Sequence, residues 1–195
     1  MPESLLIDVD DSVLVVVDAQ EVFFAKLPEA ECELLVDRIR WLIGVARWAG
    51  VPQVVMAEAI ETNGSVHPAL AEALDPGTPI HDKTHFGLVS ETEILAALRA
   101  SGRNTAVIVG LETDVCVSQS ALGLLEQGFR VAVVADAVGS PGPDHAYGLQ
   151  RMRAAGIVVI GLKGLFYEWM GSVARSERFQ AECVGSLPPP PGVRL

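Results

Sequence analysis

The sequence predicts an α/β protein in which a parallel sheet carries helices on both faces. Short runs rich in β-branched residues alternate with longer segments of helical apolar spacing, which is the pattern of successive βαβ units. The 195 residues are 50% hydrophobic, and this length fits one domain better than two. We therefore expect a single domain over residues 1–195, with a proline-rich C-terminal tail from about residue 186.

Each predicted element follows from a local pattern. The first strand, 12–17, is a continuous apolar run that ends at Asp18, and apolar residues at helical spacing over 35–46 predict the next helix. Ser90 and Glu93 form a capping-box pattern, which predicts a helix to about residue 100. The remaining strands are predicted over 52–57, 78–82, 105–109, 130–135 and 157–160, and the remaining helices over 68–74, 115–127, 144–155 and 165–179. The proline run 188–191 predicts an extended tail that hangs free or lies across a neighbouring subunit.

Charge and cysteine content exclude several classes of partner. The formal net charge is −11 and the chain has no cluster of Lys and Arg, which argues against nucleic acid and anionic membranes. The apolar run 13–17 is too short to span a bilayer, and acidic residues interrupt the region where a signal peptide would lie. Cys32, Cys116 and Cys183 show neither a disulfide nor a zinc spacing. We expect a cytoplasmic protein.

Cys116 lies where an apolar run, 106–109, ends and a helical pattern begins. The first turn of a helix favours the nucleophilic thiolate, although a free cysteine is as often a small buried hydrophobe. If the strand order is 3-2-1-4-5-6, Asp18 at the end of the first strand neighbours Cys116, and Lys83 at the end of the third can reach the same crevice. A thiol, a carboxylate and an ammonium together suit nucleophilic catalysis, whereas each alone is more often a cap, a surface charge or a packing residue.

Short sequence motifs argue against a nucleotide-binding protein and point to another class of enzyme. The chain has neither a G-x-G-x-x-G motif after a strand nor a P-loop, so nucleotide binding has no support. Three motifs instead resemble those of the isochorismatase-like cysteine hydrolases, a family that includes nicotinamidases and N-carbamoylsarcosine amidases. They are D-x-Q-x-x-F beginning at Asp18, K-T-x-F beginning at Lys83, and G-L-E-T-x-x-C-V around Cys116. The resemblance spans most of the chain and is closest to the short members that lack a metal.

This resemblance implies a three-layer Rossmann-like fold with sheet order 3-2-1-4-5-6 and a catalytic triad of Asp18, Lys83 and Cys116. Asp18 would deprotonate Cys116, whose thiolate would attack a carbonyl carbon to form a thioester that water then hydrolyses. Lys83 would hold both charges in place. The main-chain N–H groups of Glu112 and Cys116 would form the oxyanion hole, with a cis peptide bond between Leu111 and Glu112.

Positions next to the strand ends give the candidate substrate pocket. These residues are Gln20, Phe23, Phe24, Glu58, Phe86 and Glu112, of which Phe23 and Phe24 are alternatively core residues. Nicotinamidases bind a metal through an Asp-x-His motif, but this chain has Glu58-Ala59-Ile60 after its second strand. We therefore expect no metal and no other cofactor.

The cysteine nucleophile favours a hydrolase of a small amide or related C–N bond. One alternative is the cleavage of a vinyl ether, as in true isochorismatases, with Asp18 as general acid and Cys116 dispensable. Another is a non-catalytic or redox-sensing member of the fold. Because family members are commonly dimers or tetramers, a homodimer or homotetramer that acts on a small molecule is expected.

Overall fold

The computed structural model describes residues 4–183 and 185–195 and contains a six-stranded parallel sheet. The strands lie in the order β3-β2-β1-β4-β5-β6, which confirms the predicted fold class and strand order. Their bounds are β1 Ser12–Val17, β2 Gln53–Glu58, β3 Ile80–Lys83, β4 Thr105–Leu111, β5 Arg130–Gly139 and β6 Val158–Ile160. The sheet order reverses between β1 and β4, so these two strands form the crevice where open α/β sheets bind their ligands.

Helices pack on both faces of this sheet. They are α1 Glu21–Phe24, α2 Glu29–Ala49, α3 Ile60–Asn63, α4 Pro68–Ala71, α5 Thr92–Ala100, α6 Ser118–Glu126, α7 Asp144–Ala154, α8 Leu162–Met170 and α9 Val173–Cys183. Alternate residues of β1 belong to different cores, with Leu14 and Val16 packed among residues of α2 and α8. Val15 and Val17 pack among residues of α5, α6 and α7. Because both faces are covered, β1 is apolar throughout rather than alternating.

Two helix predictions were wrong in detail. The predicted helix 165–179 is two helices, because Gly171 adopts φ 66° at the end of α8 and turns the chain before α9. Ser90 lies in a short 3₁₀ turn, Leu88–Ser90, and forms no capping box with Glu93. Helix α5 begins after Glu91, whose side chain turns back towards the preceding loop.

The described part of the C-terminal tail, residues 185–195, does not hang free. It lies over the chain's own helix α2, where the Leu187 side chain packs directly against Gly44 and Pro190 is buried. A Cβ atom at Gly44 would lie 2.6 Å from Leu187 Cδ2, so a glycine there leaves room for the tail. Within the described ranges, no helix is long and apolar enough to cross a bilayer.

A close approach between β1 and β4 positions the functional edge of the sheet. Gly110 pairs with Val17 and has φ 121°, and a Cβ atom there would lie 1.9 Å from the Val17 carbonyl oxygen. A side chain at this position would therefore overlap the backbone of β1. Since Asp18 follows Val17 directly, Gly110 allows the ends of β1 and β4 to lie side by side.

Candidate active site

Four ionisable side chains meet at the carboxyl edge of the sheet, each delivered by a different strand. Asp18 follows β1 with φ 45°, and Glu58 and Lys83 are the last residues of β2 and β3. Cys116 lies in a π-helical turn, Thr113–Val117, between β4 and α6. Asp18 and Lys83 have no exposed surface and Cys116 is 4% exposed. The structure thus brings together the three residues of the predicted triad and adds Glu58.

Lys83 is the central cation of this cluster. Its Nζ lies 2.9 Å from Asp18 Oδ2 and donates hydrogen bonds to the carbonyl oxygens of His85, at 2.6 Å, and Phe86, at 3.1 Å. The two carbonyl oxygens take two of the three N–H donors of the ammonium group, and the contact with Asp18 is an ion pair without hydrogen-bond alignment. Lys83 therefore acts as a fixed positive charge, because its orientation is set by the loop that follows β3.

Glu58 contacts both the thiol and the ammonium. Cys116 Sγ donates a hydrogen bond to Glu58 Oε2 at 3.2 Å, and Lys83 Nζ lies 3.5 Å from the same oxygen. The Glu58 side chain is 17% exposed, whereas the Asp18 side chain is fully enclosed. The thiol consequently lies between a buried carboxylate and one that reaches solvent.

Gln20 positions Glu58 rather than lining the predicted pocket. Its Nε2 donates to the carbonyl oxygens of Glu58, at 2.9 Å, and Gly64, at 2.6 Å, while its Oε1 accepts the Glu58 N–H at 2.7 Å. Asn63 Nδ2 also donates to the Glu58 carbonyl oxygen, at 3.1 Å. Because the buried amide of Gln20 is fully engaged with main chain, the expectation that it binds substrate is corrected to a role in holding the end of β2.

The remaining predicted pocket residues fall into different environments. Phe24 is buried and packs edge-to-face on His67, with ring centroids 5.6 Å apart, so it is a core residue. Phe23 is nearly buried and lies under the Lys26 ammonium, 4.8 Å from the ring centroid. Phe86 is 55% exposed and contributes its carbonyl oxygen to Lys83.

The turn that carries Cys116 begins with an unusual peptide. The Leu111–Glu112 peptide bond is cis, and the Glu112 carbonyl oxygen accepts the N–H of Val117 at 3.0 Å. The Glu112 carboxylate forms an ion pair with Lys26 at 2.9 Å. Glu112 is thereby tied on one side to the π-helical turn and on the other to the segment after α1.

Burial dominates the electrostatics of the cluster. It raises the pKa of Asp18 to about 6, against the opposing effect of Lys83. Burial also raises the pKa of the Cys116 thiol, and the neighbouring Asp18 adds to this rise, so the resting group is a thiol. The expectation that a helix start favours thiolate is therefore outweighed here. Burial disfavours the Lys83 ammonium, but Asp18 and Cys116 more than compensate and raise its pKa.

Glu91 is a supporting residue that the sequence analysis missed. Its Oε1 accepts hydrogen bonds from the N–H groups of Thr84, at 2.7 Å, and His85, at 2.9 Å, and lies 2.9 Å from His85 Nδ1. Although burial opposes it, this set of hydrogen bonds lowers the pKa of Glu91 to about 2. Glu91 thus holds the loop whose carbonyl oxygens accept from Lys83.

Three side chains of the cluster have the spacing of metal ligands. Asp18, Glu58 and Cys116 each offer a ligand atom, and these atoms lie within 4.8 Å of one another. The Lys83 ammonium already lies 2.9 Å from Asp18 and 3.5 Å from Glu58, where it supplies the positive charge that a cation would bring. The arrangement fits a thiol with an ammonium and two carboxylates better than it fits a metal centre.

The fold and this site define a class of α/β hydrolases with a thiol at the switch point of the sheet. A family model described as an isochorismatase domain matches residues 12–163. The chain belongs to the isochorismatase-like hydrolase family.

Individual relatives agree with this assignment. Isochorismatase domain-containing protein 2 of Danio rerio is 31% identical over 160 residues, which cover 80% of this chain and 78% of that protein. The MAR1 ribonuclease of Caenorhabditis elegans has a TM-score of 0.83 and 29% identity, covering 97% of this chain and 98% of its own. The fold is also that of YcaC from Escherichia coli, described as an octameric hydrolase of unknown specificity, with a TM-score of 0.87, 23% identity and coverage of 97% and 94%.

Two amidases share the fold with lower TM-scores. N-carbamoylsarcosine amidase from Thermoplasma acidophilum has a TM-score of 0.66 and 24% identity, covering 78% of this chain and 96% of its own. Nicotinamidase from Staphylococcus aureus has a TM-score of 0.67 and 22% identity, covering 77% and 98%. At these identities the likeness concerns the fold alone.

Proposed function

We propose that this protein is a cysteine-dependent hydrolase of a small amide or related C–N bond, acting through a thioester intermediate. The observation that carries the proposal is the enclosure of Cys116 with Asp18 and Lys83 at the reversal point of the sheet, where Lys83 Nζ lies 2.9 Å from Asp18. A thiol with a fixed ammonium and a carboxylate at hand has what nucleophilic acyl transfer requires.

In the first half of the reaction, Asp18 accepts the thiol proton as Cys116 Sγ attacks the carbonyl carbon. The main-chain N–H groups of Glu112 and Cys116 stabilise the oxyanion, and the C–N bond breaks as Asp18 returns the proton to the leaving nitrogen. Lys83 offsets the negative charge of Asp18 and of the forming thiolate. The raised pKa of Asp18, about 6, suits a group that takes up and releases a proton near neutral pH.

Several observations favour a small organic substrate over a nucleic acid. The net charge of −11 opposes the binding of a phosphate backbone, although one relative is described as a ribonuclease. The nucleophile is 4% exposed, so only a small group reaches it. Relatives named as amidases share this fold.

The test is ammonia release from a panel of small amides and carbamoyl compounds. We expect turnover by the wild type and its loss in Cys116→Ala and Asp18→Asn. Cys32→Ala is the matched control, because Cys32 is another free cysteine, lies on α2 and belongs to no part of this site. Turnover that survives in Cys116→Ala would exclude the thioester route.

The family model itself favours one second candidate, the cleavage of a vinyl ether as in isochorismatases. In that reaction Asp18 would act as general acid, and its pKa of about 6 would leave a protonated fraction at mildly acidic pH. Full isochorismate turnover by Cys116→Ala would select this function over amide hydrolysis.

We further propose that the protein works as a homo-oligomer in a reducing, cytoplasmic environment. Exposed apolar side chains such as Phe86 and Tyr147 would be covered by a second copy, and the relative YcaC is octameric. Cys32, Cys116 and Cys183 are all free. Sedimentation at micromolar concentration tests the assembly, and a monomer there would refute it.

A further inference from the structure

We propose that Glu58 is a catalytic residue of this site and serves as the general base for the water that hydrolyses the thioester. The inference rests on the proposed thioester intermediate and extends it, because it assigns the two halves of the reaction to two different carboxylates. It is carried by the contact of Glu58 Oε2 with Cys116 Sγ at 3.2 Å and by the partial exposure of this carboxylate.

The two carboxylates that flank the thiol differ in their access to water. Asp18 has no exposed surface, and its Oδ2 is paired with Lys83 Nζ at 2.9 Å. The Glu58 side chain is 17% exposed and contacts the same sulfur atom. Water that enters from solvent therefore meets Glu58 before it can meet Asp18.

Acylation frees Glu58 for this task. In the resting site the Cys116 S–H donates to Glu58 Oε2. Once the sulfur is acylated it has no proton, so this oxygen loses its donor while it remains next to the acyl group. A water that replaces the lost donor lies between the carboxylate and the acyl carbon, which is the geometry of general-base catalysis.

The surroundings hold Glu58 in place but leave it able to accept a proton. Gln20 and Asn63 fix its main chain through three hydrogen bonds. Lys83 Nζ lies 3.5 Å from Oε2, but it donates its hydrogen bonds to the carbonyl oxygens of His85 and Phe86 and lies closer to Asp18 Oδ2, at 2.9 Å. Lys83 therefore stabilises the negative charge of the Glu58 carboxylate but does not donate a hydrogen bond to Oε2.

The step balances in protons and bonds. Water transfers a proton to Glu58 as its oxygen forms a bond with the acyl carbon, and the C–S bond breaks when the tetrahedral intermediate collapses. The leaving sulfur of Cys116 takes the proton back from the Glu58 carboxylic acid. The products are the free acid and the S–H donor to Oε2 that the resting structure contains.

The experiment loads the enzyme with p-nitrophenyl acetate, an activated ester that acylates Cys116 whether or not amides are substrates. In the wild type we expect a burst of nitrophenol followed by steady turnover. Glu58→Gln keeps the shape of the side chain but removes the base, so the burst should persist while steady turnover falls by about 100-fold or more. Intact mass spectrometry should then show the acetylated variant, which accumulates.

A nucleophile that needs no general base distinguishes a catalytic role of Glu58 from a structural one. Hydroxylamine should release the acetyl group from Glu58→Gln and restore turnover to within a few-fold of the wild type. Glu61→Gln is the matched control, because Glu61 is an exposed carboxylate on the neighbouring helix α3 and should behave as wild type. Thermal unfolding of each variant checks that the fold is kept.

The outcomes are distinct. Deacylation of Glu58→Gln at the wild-type rate overturns the inference, and so does loss of the burst itself, which would place Glu58 in the acylation step. A normal ester burst with no ammonia release from any amide refutes the proposed substrate class but leaves the Glu58 comparison valid. A wild type that the ester does not acylate overturns both proposals.

Discussion

Substitution of Gly110 by alanine should unfold or severely destabilise this protein. The added Cβ atom would lie 1.9 Å from the Val17 carbonyl oxygen, and that atom belongs to backbone that cannot rotate away. Forcing an L-residue to φ 121° costs about 1 to 3 kcal/mol, and overpacking against the core costs about 1 to 3 kcal/mol more. The sum, about 2 to 6 kcal/mol, is a large share of the 5 to 15 kcal/mol that typically stabilises a domain.

Guanidinium unfolding of Gly110→Ala beside Gly102→Ala measures this cost. Gly102 has φ 68°, but its Cβ atom would meet no other atom within 4 Å, so only the backbone penalty of about 1 to 2 kcal/mol applies. The difference between the two variants isolates the overlap with β1. If the two free energies of unfolding agree within about 1 kcal/mol, the close approach of Gly110 to Val17 does not constrain the sheet.

Three further predictions concern the loop after β3, the ionisation of Asp18 and the C-terminal tail. Glu91→Gln should lower turnover several-fold and the free energy of unfolding by about 1 to 3 kcal/mol, because the Thr84 and His85 N–H groups lose a charged acceptor. Unfolding curves of Glu91→Gln and of the control Glu93→Gln measure this loss of stability. The amidase kcat/KM should fall as the pH drops below about 6, because the pKa of Asp18 in the folded protein is raised to about 6 and the carboxylate that acts as base is protonated at lower pH. A pH profile that stays flat to pH 5 would contradict the role of Asp18. Gly44→Ala should displace Leu187 and make the tail 185–195 sensitive to limited proteolysis while amide turnover stays unchanged.

The strands could be predicted from local patterns, whereas the strand order and the triad were implied by the resemblance of three motifs to a known family. Buried parallel strands are continuous apolar runs, so 12–17 and 105–109 could be recognised directly, and the strand order then placed Asp18 beside Cys116. β5 extends to Gly139, four residues beyond its predicted end, because its pairing with β4 shifts register between Ile108 and Gly110 and then resumes. Such a register shift cannot be recognised from the spacing of apolar residues in the sequence.

The contacts of the residues that support the site could not be predicted, because the partners are distant in sequence or depend on how a loop folds. The sequence places Glu58 next to a strand end, but its contact with Cys116 spans 58 residues of chain. Gln20 matched a motif, yet its side chain could equally have faced a substrate. Glu91 lay inside an apparent capping box, and only the fold shows that its carboxylate binds the loop before it.

The net charge of the cluster predicts which substrates this protein prefers. Two carboxylates, Asp18 and Glu58, and one ammonium, Lys83, surround the neutral thiol, so the formal charge of the site is −1, and it stays −1 when Asp18 accepts the thiol proton. Such a site repels an anion, and isochorismate carries two carboxylates. Lys26, a cation near the Cys116 turn, is already paired with Glu112 at 2.9 Å.

A neutral or cationic amide should therefore be preferred over an anionic analogue of the same size. Comparing kcat/KM for an uncharged amide and its carboxylate-bearing analogue should give a ratio of at least about tenfold, which corresponds to about 1.4 kcal/mol of repulsion. Glu58→Gln should reduce this ratio, because it removes one of the two negative charges closest to the thiol. Preference for the anionic compound would instead favour the vinyl-ether reaction and would show that the fixed Lys83 charge dominates the site.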